Sequence, residues 1–326
     1  MIDFRYHLVS LVAVFLALAV GIILGAGPLA DPIGDTLTGQ VDKLREDRNQ
    51  LNEQLTHAQS QINVQDQTIE QFAPRIFNGF LQGTGVALVV LPDAQAEDVK
   101  AVSEIVAAAG GTVNAQINLQ DNFFAPAKQA YREALSGQIR QYLSDTTRAT
   151  TPESTLAAAV GQLIFTGQND SLSGILTVEE TPLIQVANPA SQPARAAIIV
   201  GSGPLEPQNE KQLKTLEKWT KNLIEFAQTL NTFASGVVLY GSAQGENDLL
   251  TKVRSGGNPV PTVDGIGTKT ALLSLPFALV ARMNGTVGAW GSEQNASALV
   301  PPFTEVPAPP APAEAPAAPP AAPAPQ

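Results

Sequence analysis

Leu37 to Ile76 carries an unbroken heptad repeat, and few patterns restrict a chain so tightly. Leu37, Leu44, Leu51, Ala58, Gln65 and Phe72 occupy one seam position; Val41, Arg48, Leu55, Ile62, Ile69 and Ile76 occupy the other. β-branched residues dominate the second position and leucine recurs at the first, a combination that favours a parallel two-stranded coil. A helix of this length makes a rod of about 54 Å. Arg48 and Gln65 are the polar seam residues that hold register. The flanks add little, since Gln40 would face Arg45, Asp47 would face Asn52 and Gln54 would face Gln59. A single-chain helical hairpin would need a second heptad segment, which the chain lacks. A hetero-coil with another protein is the remaining alternative.

Leu8 to Ala26 carries no charge and is long enough, at about 1.5 Å per residue, to cross a bilayer core of about 30 Å. A cleaved signal peptide competes with this reading, because Gly25-Ala26-Gly27 resembles a small-residue cleavage site, but its apolar region is usually shorter. The short basic end with Arg5 places the N-terminus in the cytoplasm and the rest outside, although Lys43 and Arg45 weaken that asymmetry. Ala13, Ala17, Gly21 and Gly25 recur every fourth residue, and small residues at that spacing let two membrane helices approach closely. Pro28, Pro32 and Gly34 predict an interruption between membrane and coil.

From Gly83 the pattern becomes strand-helix alternation. Strands are expected over 86–91, 112–119, 194–200, 236–240 and 260–263, and helices over 96–109, 127–143, 154–165, 209–233, 246–254 and 269–282. The continuous apolar run at 86–91 belongs to a strand covered on both faces. The fold class is therefore α/β, with a mainly parallel, Rossmann-like sheet. The expected plan is a cytoplasmic end at 1–7, a transmembrane helix at 8–27, a hinge at 28–36 and a coiled coil at 37–76. An extracytoplasmic α/β domain follows at 83–300, then a disordered Ala/Pro-rich tail at 301–326. Such a tail would be an extended arm of up to about 80 Å, either a docking spacer or an inert end.

The chemistry on offer is narrow. With no cysteine, disulfides, thiolate metal sites and cysteine nucleophiles are excluded. The two histidines, His7 and His57, lie before the α/β domain, which rules out a Ser-His-Asp arrangement inside it. A net charge of −11 makes nucleic acid and anionic membrane surfaces poor partners for the body. Open α/β sheets bind ligands at the carboxyl ends of their strands. Those ends supply Asp93, Ser202 with Gly203, Ser242 and Asp264 as the candidate partner or ligand surface. The Gly201 turn resembles a phosphate loop, but Glu206 stands where a dinucleotide fingerprint needs glycine. No catalytic residue, metal or cofactor is expected, and the chain is read as a non-enzyme.

Ile2-Asp3-Phe4-Arg5-Tyr6-His7-Leu8-Val9-Ser10-Leu11, leading into Gly21-Ile22-Ile23-Leu24-Gly25, resembles the start of the actinobacterial MctB family. Thr262-Val263-Asp264 and Gly288-Ala289-Trp290-Gly291 resemble its C-terminal region, although the family often has His-Tyr at the place of Ala289-Trp290. The resemblance runs to about residue 300. It implies one of two roles: copper transport, under the description of an outer-membrane channel, or the role of the SteB members of the family. These act with the membrane protein SteA in cell separation and control of peptidoglycan hydrolysis. A channel should be a β-barrel of alternating strands. A copper carrier should offer thiols, thioethers or imidazoles, of which the α/β domain has only Met283. The expectation is therefore a membrane-anchored homodimer, paired through coil and membrane helix, that works as an envelope scaffold or regulator. Its partner would be a SteA-like division protein or a cell-wall hydrolase. Copper transport is the first alternative, and an enzyme acting on a nucleotide or wall fragment is the second.

Overall fold

The structure, a computed structural model, describes residues 4–26, 30–77, 79–167, 169–233, 236–257 and 260–307; the side chains of 24–38 lie outside that description. The chain divides into two compact units, residues 1–67 and 68–326. In the first, α1 (Phe4–Ala26) is apolar and long enough to cross a membrane. The second helix, α2, spans Ala30–Phe77. Pro28 lies outside the described residues, but the interruption expected over 28–36 does not extend past Ala30. Pro32 falls in the first turn of α2, where its missing N–H would have no intrahelical partner in any case. Gly21 has open space around its Cα, while the side chains of Gly25 and Leu37 fall outside the description.

The second unit begins inside α2. Pro74 does not end the helix, which runs on to Phe77. Ala73 and Phe77 explain this, since both are buried, and Phe77 packs 5.6 Å from the Phe277 ring. Glu70 adds an ion pair with Lys269 at 2.8 Å. Ile69, assigned to the coil seam, is half-buried and shares a small pocket with Ile105 and Leu272. One turn before Ala73 on the same helical face, it is drawn under the body's cover. Phe72 and Ile76 remain exposed.

The body is built on a seven-stranded sheet of order β3-β2-β1-β4-β5-β6-β7. The strands are β1 (Gly85–Val90), β2 (Thr112–Leu119), β3 (Ile184–Asn188), β4 (Ala196–Val200), β5 (Gly236–Tyr240), β6 (Thr262–Val263) and β7 (Ala289–Trp290). The helices are α3 (Ala96–Ala108), α4 (Gln129–Ile139), α5 (Pro152–Phe165), α6 (Asp170–Leu176), α7 (Glu210–Leu230), α8 (Leu249–Ser255) and α9 (Lys269–Met283). All neighbouring strands are parallel except the edge pair β2–β3. β4 and β5 are buried at every residue, as continuous apolar strands between two helical layers must be. Their alternating side chains feed two cores. Ala197, Ile199, Val237 and Leu239 face α5, α7 and α8. Ile198, Val200, Val238 and Tyr240 face α3 and α9.

Three elements escaped the pattern reading, each for a physical reason. β3 is a polar edge strand with only its first residue buried. β7 has two residues. α6 has seven, and begins at an Asn169 cap that accepts a hydrogen bond from the Leu172 N–H. Conversely, α8 starts at Leu249, not Glu246, because residues 245–248 turn around the Asp248 carboxylate. The first seven residues of the segment expected to be disordered are held by the body. Residues 301–307 pack on the body: Phe303 lies 5.7 Å from the rings of both Phe80 and Phe277. Asn284 donates to the Glu305 carbonyl at 2.8 Å, and Arg195 donates to the Pro307 carbonyl at 3.1 Å. Residues 308–326 lie outside the described set.

Candidate functional site

The chain runs outward from the centre of the sheet in both directions, from β1 to β2 and from β4 to β5. The crevice at the carboxyl ends of β1 and β4 is thus the topological switch point of the fold. α3 and α7 leave it on opposite faces of the sheet. α9 returns over the α3 face, so the β6–α9–β7 connection has the opposite hand to β4–α7–β5. This carries the end of β7 beside the end of β6 and closes that half of the carboxyl edge.

Two buried carboxylates do the closing. Asp264, just after β6, accepts hydrogen bonds through Oδ1 from the N–H groups of Ser292 (2.8 Å) and Glu293 (3.1 Å). Its Oδ2 lies 2.8 Å from Nη1 of Arg254. The same guanidinium donates to Thr262 Oγ1 (2.9 Å) and to the carbonyls of Gln294 (2.8 Å) and Trp290 (3.2 Å). Gly291 makes this approach possible: at φ +134°, a Cβ there would stand 2.0 Å from Asp264 Oδ1. Asp248 performs the second closure. It takes hydrogen bonds from Ser242 Oγ (2.7 Å) and Gly245 N–H (3.0 Å) on Oδ2, and from Leu205 N–H (2.7 Å) on Oδ1. The loops after β4 and β5 are therefore tied together below the surface.

Of the residues singled out from sequence, Asp264 and Ser242 are buried in these ties and offer no face to a partner. Both were read as surface because strand ends usually are, while the partners that bury them come from α8 and the 291–294 loop. Ser202 is also buried, only 4% exposed, and its hydroxyl has no hydrogen-bond partner among the described residues. Gly203 is half-exposed beside it. Glycine at 201 serves packing, since a Cβ would meet the Tyr240 carbonyl at 3.0 Å. The phosphate-loop reading fails on local geometry: α7 begins only at Glu210, well beyond the glycines, behind an Asn209 cap.

Asp93 alone opens outward. It lines a depression of about 490 Å³ with Asn209, Lys211, Thr215 and Trp219. Partial desolvation, and then the negative charge of Asp121, raise its carboxyl above the ordinary aspartate range. The Tyr240 hydroxyl, buried and accepting the Gly267 N–H at 3.1 Å, is raised as well, chiefly by burial. His57 is exposed on α2 and His7 on α1, and no cluster of three potential metal ligands occurs among the described residues.

A family model described as "Copper transport outer membrane protein, MctB" matches residues 1–301. Among curated proteins, the copper transporter MctB of Mycobacterium tuberculosis H37Rv is 37% identical over 147 residues, covering 43% of this chain and 45% of its own length. The copper transporter MctB of Mycobacterium leprae is 35% identical over 147 residues, covering 44% of its length. The aligned region thus spans less than half of these relatives.

Proposed function

This chain belongs to the MctB family, and within it we propose the role of a non-enzymatic, membrane-anchored scaffold of the cell envelope. α1 would anchor it with the N-terminus in the cytoplasm. α2 would pair in parallel with a second copy, and the α/β body would be displayed outside the membrane. There it would engage a SteA-like division protein or a cell-wall hydrolase.

The observation that supports this reading most is the uncovered seam of α2. Val41, Leu44, Leu51, Leu55 and Ile62 are between 40% and 68% exposed and recur on the heptad positions. An apolar stripe of that length in water calls for a partner helix. The body packs against Ala73 and Phe77, which lie off the seam; of the seam residues in 68–77 it half-covers Ile69, while Phe72 and Ile76 stay exposed. Capture from cross-linked cells tests the role. Septal or wall proteins are expected, and recovery of copper-handling proteins alone would overturn it.

Copper as cargo is the second reading, favoured by the family description and by the relatives' names. Its donors would have to come from Met1, His7, His57 and Met283, a sparse set for a soft metal. Titration calorimetry of the detergent-solubilised chain with copper separates the two readings. Stoichiometric heat supports transport or sequestration, and its absence excludes tight binding.

A further inference from the structure

α7 carries four of the chain's nine lysines, although the chain as a whole has a net charge of −11. Lys211, Lys214, Lys218 and Lys221 follow one another at intervals of three, four and three, so they form one stripe about 15 Å long on the exposed side of the helix. The opposite side, with Leu223, Phe226 and Leu230, is buried in the core. The stripe borders a continuous groove. A depression of about 340 Å³ beside Pro126 shares Lys211 with the Asp93 crevice. At its other end it shares Pro126 and Lys218 with a pocket of about 270 Å³ lined by Arg132.

Arg132 is the second, independent observation. It is 1% exposed, and Nη1 donates to the carbonyls of Asn122 (3.2 Å) and Ala125 (2.6 Å). Its Nε has no partner among the described residues. Carboxylates share the groove: Glu153, 3.8 Å from Arg132, lines its pocket with Glu225, which accepts from the Thr151 hydroxyl; Glu210 pairs with Lys214 at 2.6 Å, and Asp93 lines the far crevice. Lys211, Lys218 and Lys221 form no ion pair among the described residues. The groove is thus edged by one continuous lysine row, three members of which are unpaired among the described residues, on a protein whose net charge is −11.

We propose that this groove binds a linear, phosphate-bearing polymer lying along Lys211, Lys214, Lys218 and Lys221, with one phosphate entering the Arg132 pocket. Lysine suits phosphate as a mobile point charge, and the guanidinium adds directional N–H donors where the pocket narrows. A chain fits better than a bilayer plane. The lysines form a single row about 15 Å long, a line of charge that a chain can follow and that a flat surface meets only along one edge. A compact ligand would use one depression and leave the rest of the stripe idle.

The test is fluorescence anisotropy of the full chain in non-ionic detergent with labelled inorganic polyphosphate as probe. Affinity should fall with salt, with a log–log slope of about −3 for four neutralised phosphates. The variant Lys211→Gln/Lys218→Gln/Lys221→Gln should weaken binding at least about tenfold and flatten the slope to about −0.7. The charge-matched variant Lys43→Gln/Arg45→Gln/Lys100→Gln should bind as the parent does, and thermal melting checks that both variants fold. Absence of binding by the parent chain would overturn the proposal, as would equal losses in the two variants. Glycerol phosphate competing as well as polyphosphate, phosphate for phosphate, would overturn the polymer and point to a headgroup-sized ligand.

Discussion

Arg254 and Asp264 form an ion pair whose side chains are 1% and 0% exposed, 2.8 Å apart at the carboxyl edge of the sheet. Neither charge is left with only the other for company. The guanidinium also holds Thr262, Trp290 and Gln294, and the carboxylate holds the backbone of 292–293. The pair therefore joins α8, β6, β7 and the final loop into one unit. Removing one partner from such a pair is strongly destabilising because the other charge is stranded. Arg254→Met and Asp264→Leu should each destabilise the body by roughly 3–5 kcal/mol. The double variant should be less destabilised than the sum of the two. Thermal melting reads this as a fall of about 10 °C for each single change, and strictly additive shifts would refute the coupling.

Gly291→Ala tests the same junction from the backbone side. With φ at +134° and a Cβ 2.0 Å from Asp264 Oδ1, even one methyl displaces the carboxylate. The expected loss is on the order of 2–4 kcal/mol, combining backbone strain with a damaged ion pair. Unchanged melting would mean that the loop relaxes without disturbing Asp264.

Leu44→Lys with Leu51→Lys addresses the helix seam. Both side chains are exposed in the single chain, so the body should fold and melt normally. Size-exclusion chromatography with light scattering should find the parent as a dimer and the variant as a monomer. A variant that remains dimeric would place the dimer contact elsewhere.

Asp93 carries a pH prediction. Its folded-state carboxyl is raised above the ordinary value of 3.8 by partial burial and by Asp121. The folded chain then binds more protons than the unfolded one between 3.8 and the raised value, so stability falls as pH rises through that window and levels off above it. Asp93→Asn should remove that slope and leave the neutral-pH protein at least as stable as the parent. Carbon-detected NMR titration of the parent should place this carboxyl above 3.8; an ordinary or lowered value would contradict the assignment.

The legible and illegible parts of this sequence divide along physical lines. Val86 to Leu91 and Ala196 to Val200 announced themselves because a strand buried on both faces has to be apolar throughout. The long helix α2 was legible for a similar reason, since one spacing rule governs forty residues. Ile184 to Asn188 stayed hidden as a polar edge strand, and Ala289-Trp290 as a pair too short to carry any period. At the carboxyl edge, position was legible and role was not. Asp264 was found as a residue at a strand end, but its burial depends on Arg254 from the preceding helix and on a glycine from the following loop. Asp248 had a signal that went unused: an aspartate immediately before a helix, six residues after Ser242 and three after Gly245. The lysine stripe on α7 was masked by the overall negative charge, which averages away a local field of opposite sign.

The packing of residues 301–307 has a mechanical consequence. Phe303 is clasped by Phe80 and Phe277, and Arg195 holds the Pro307 carbonyl at the start of β4. Phe80 follows the end of α2, and Phe77 packs on the same Phe277 ring. Tension applied to the tail would therefore meet Arg195 at Pro307 first, then Asn284 at Glu305, and last the rings around Phe303 beside the end of α2. The pull would be shared by a side-chain hydrogen bond at the start of β4, another just after α9 and an aromatic cluster, instead of falling on one contact.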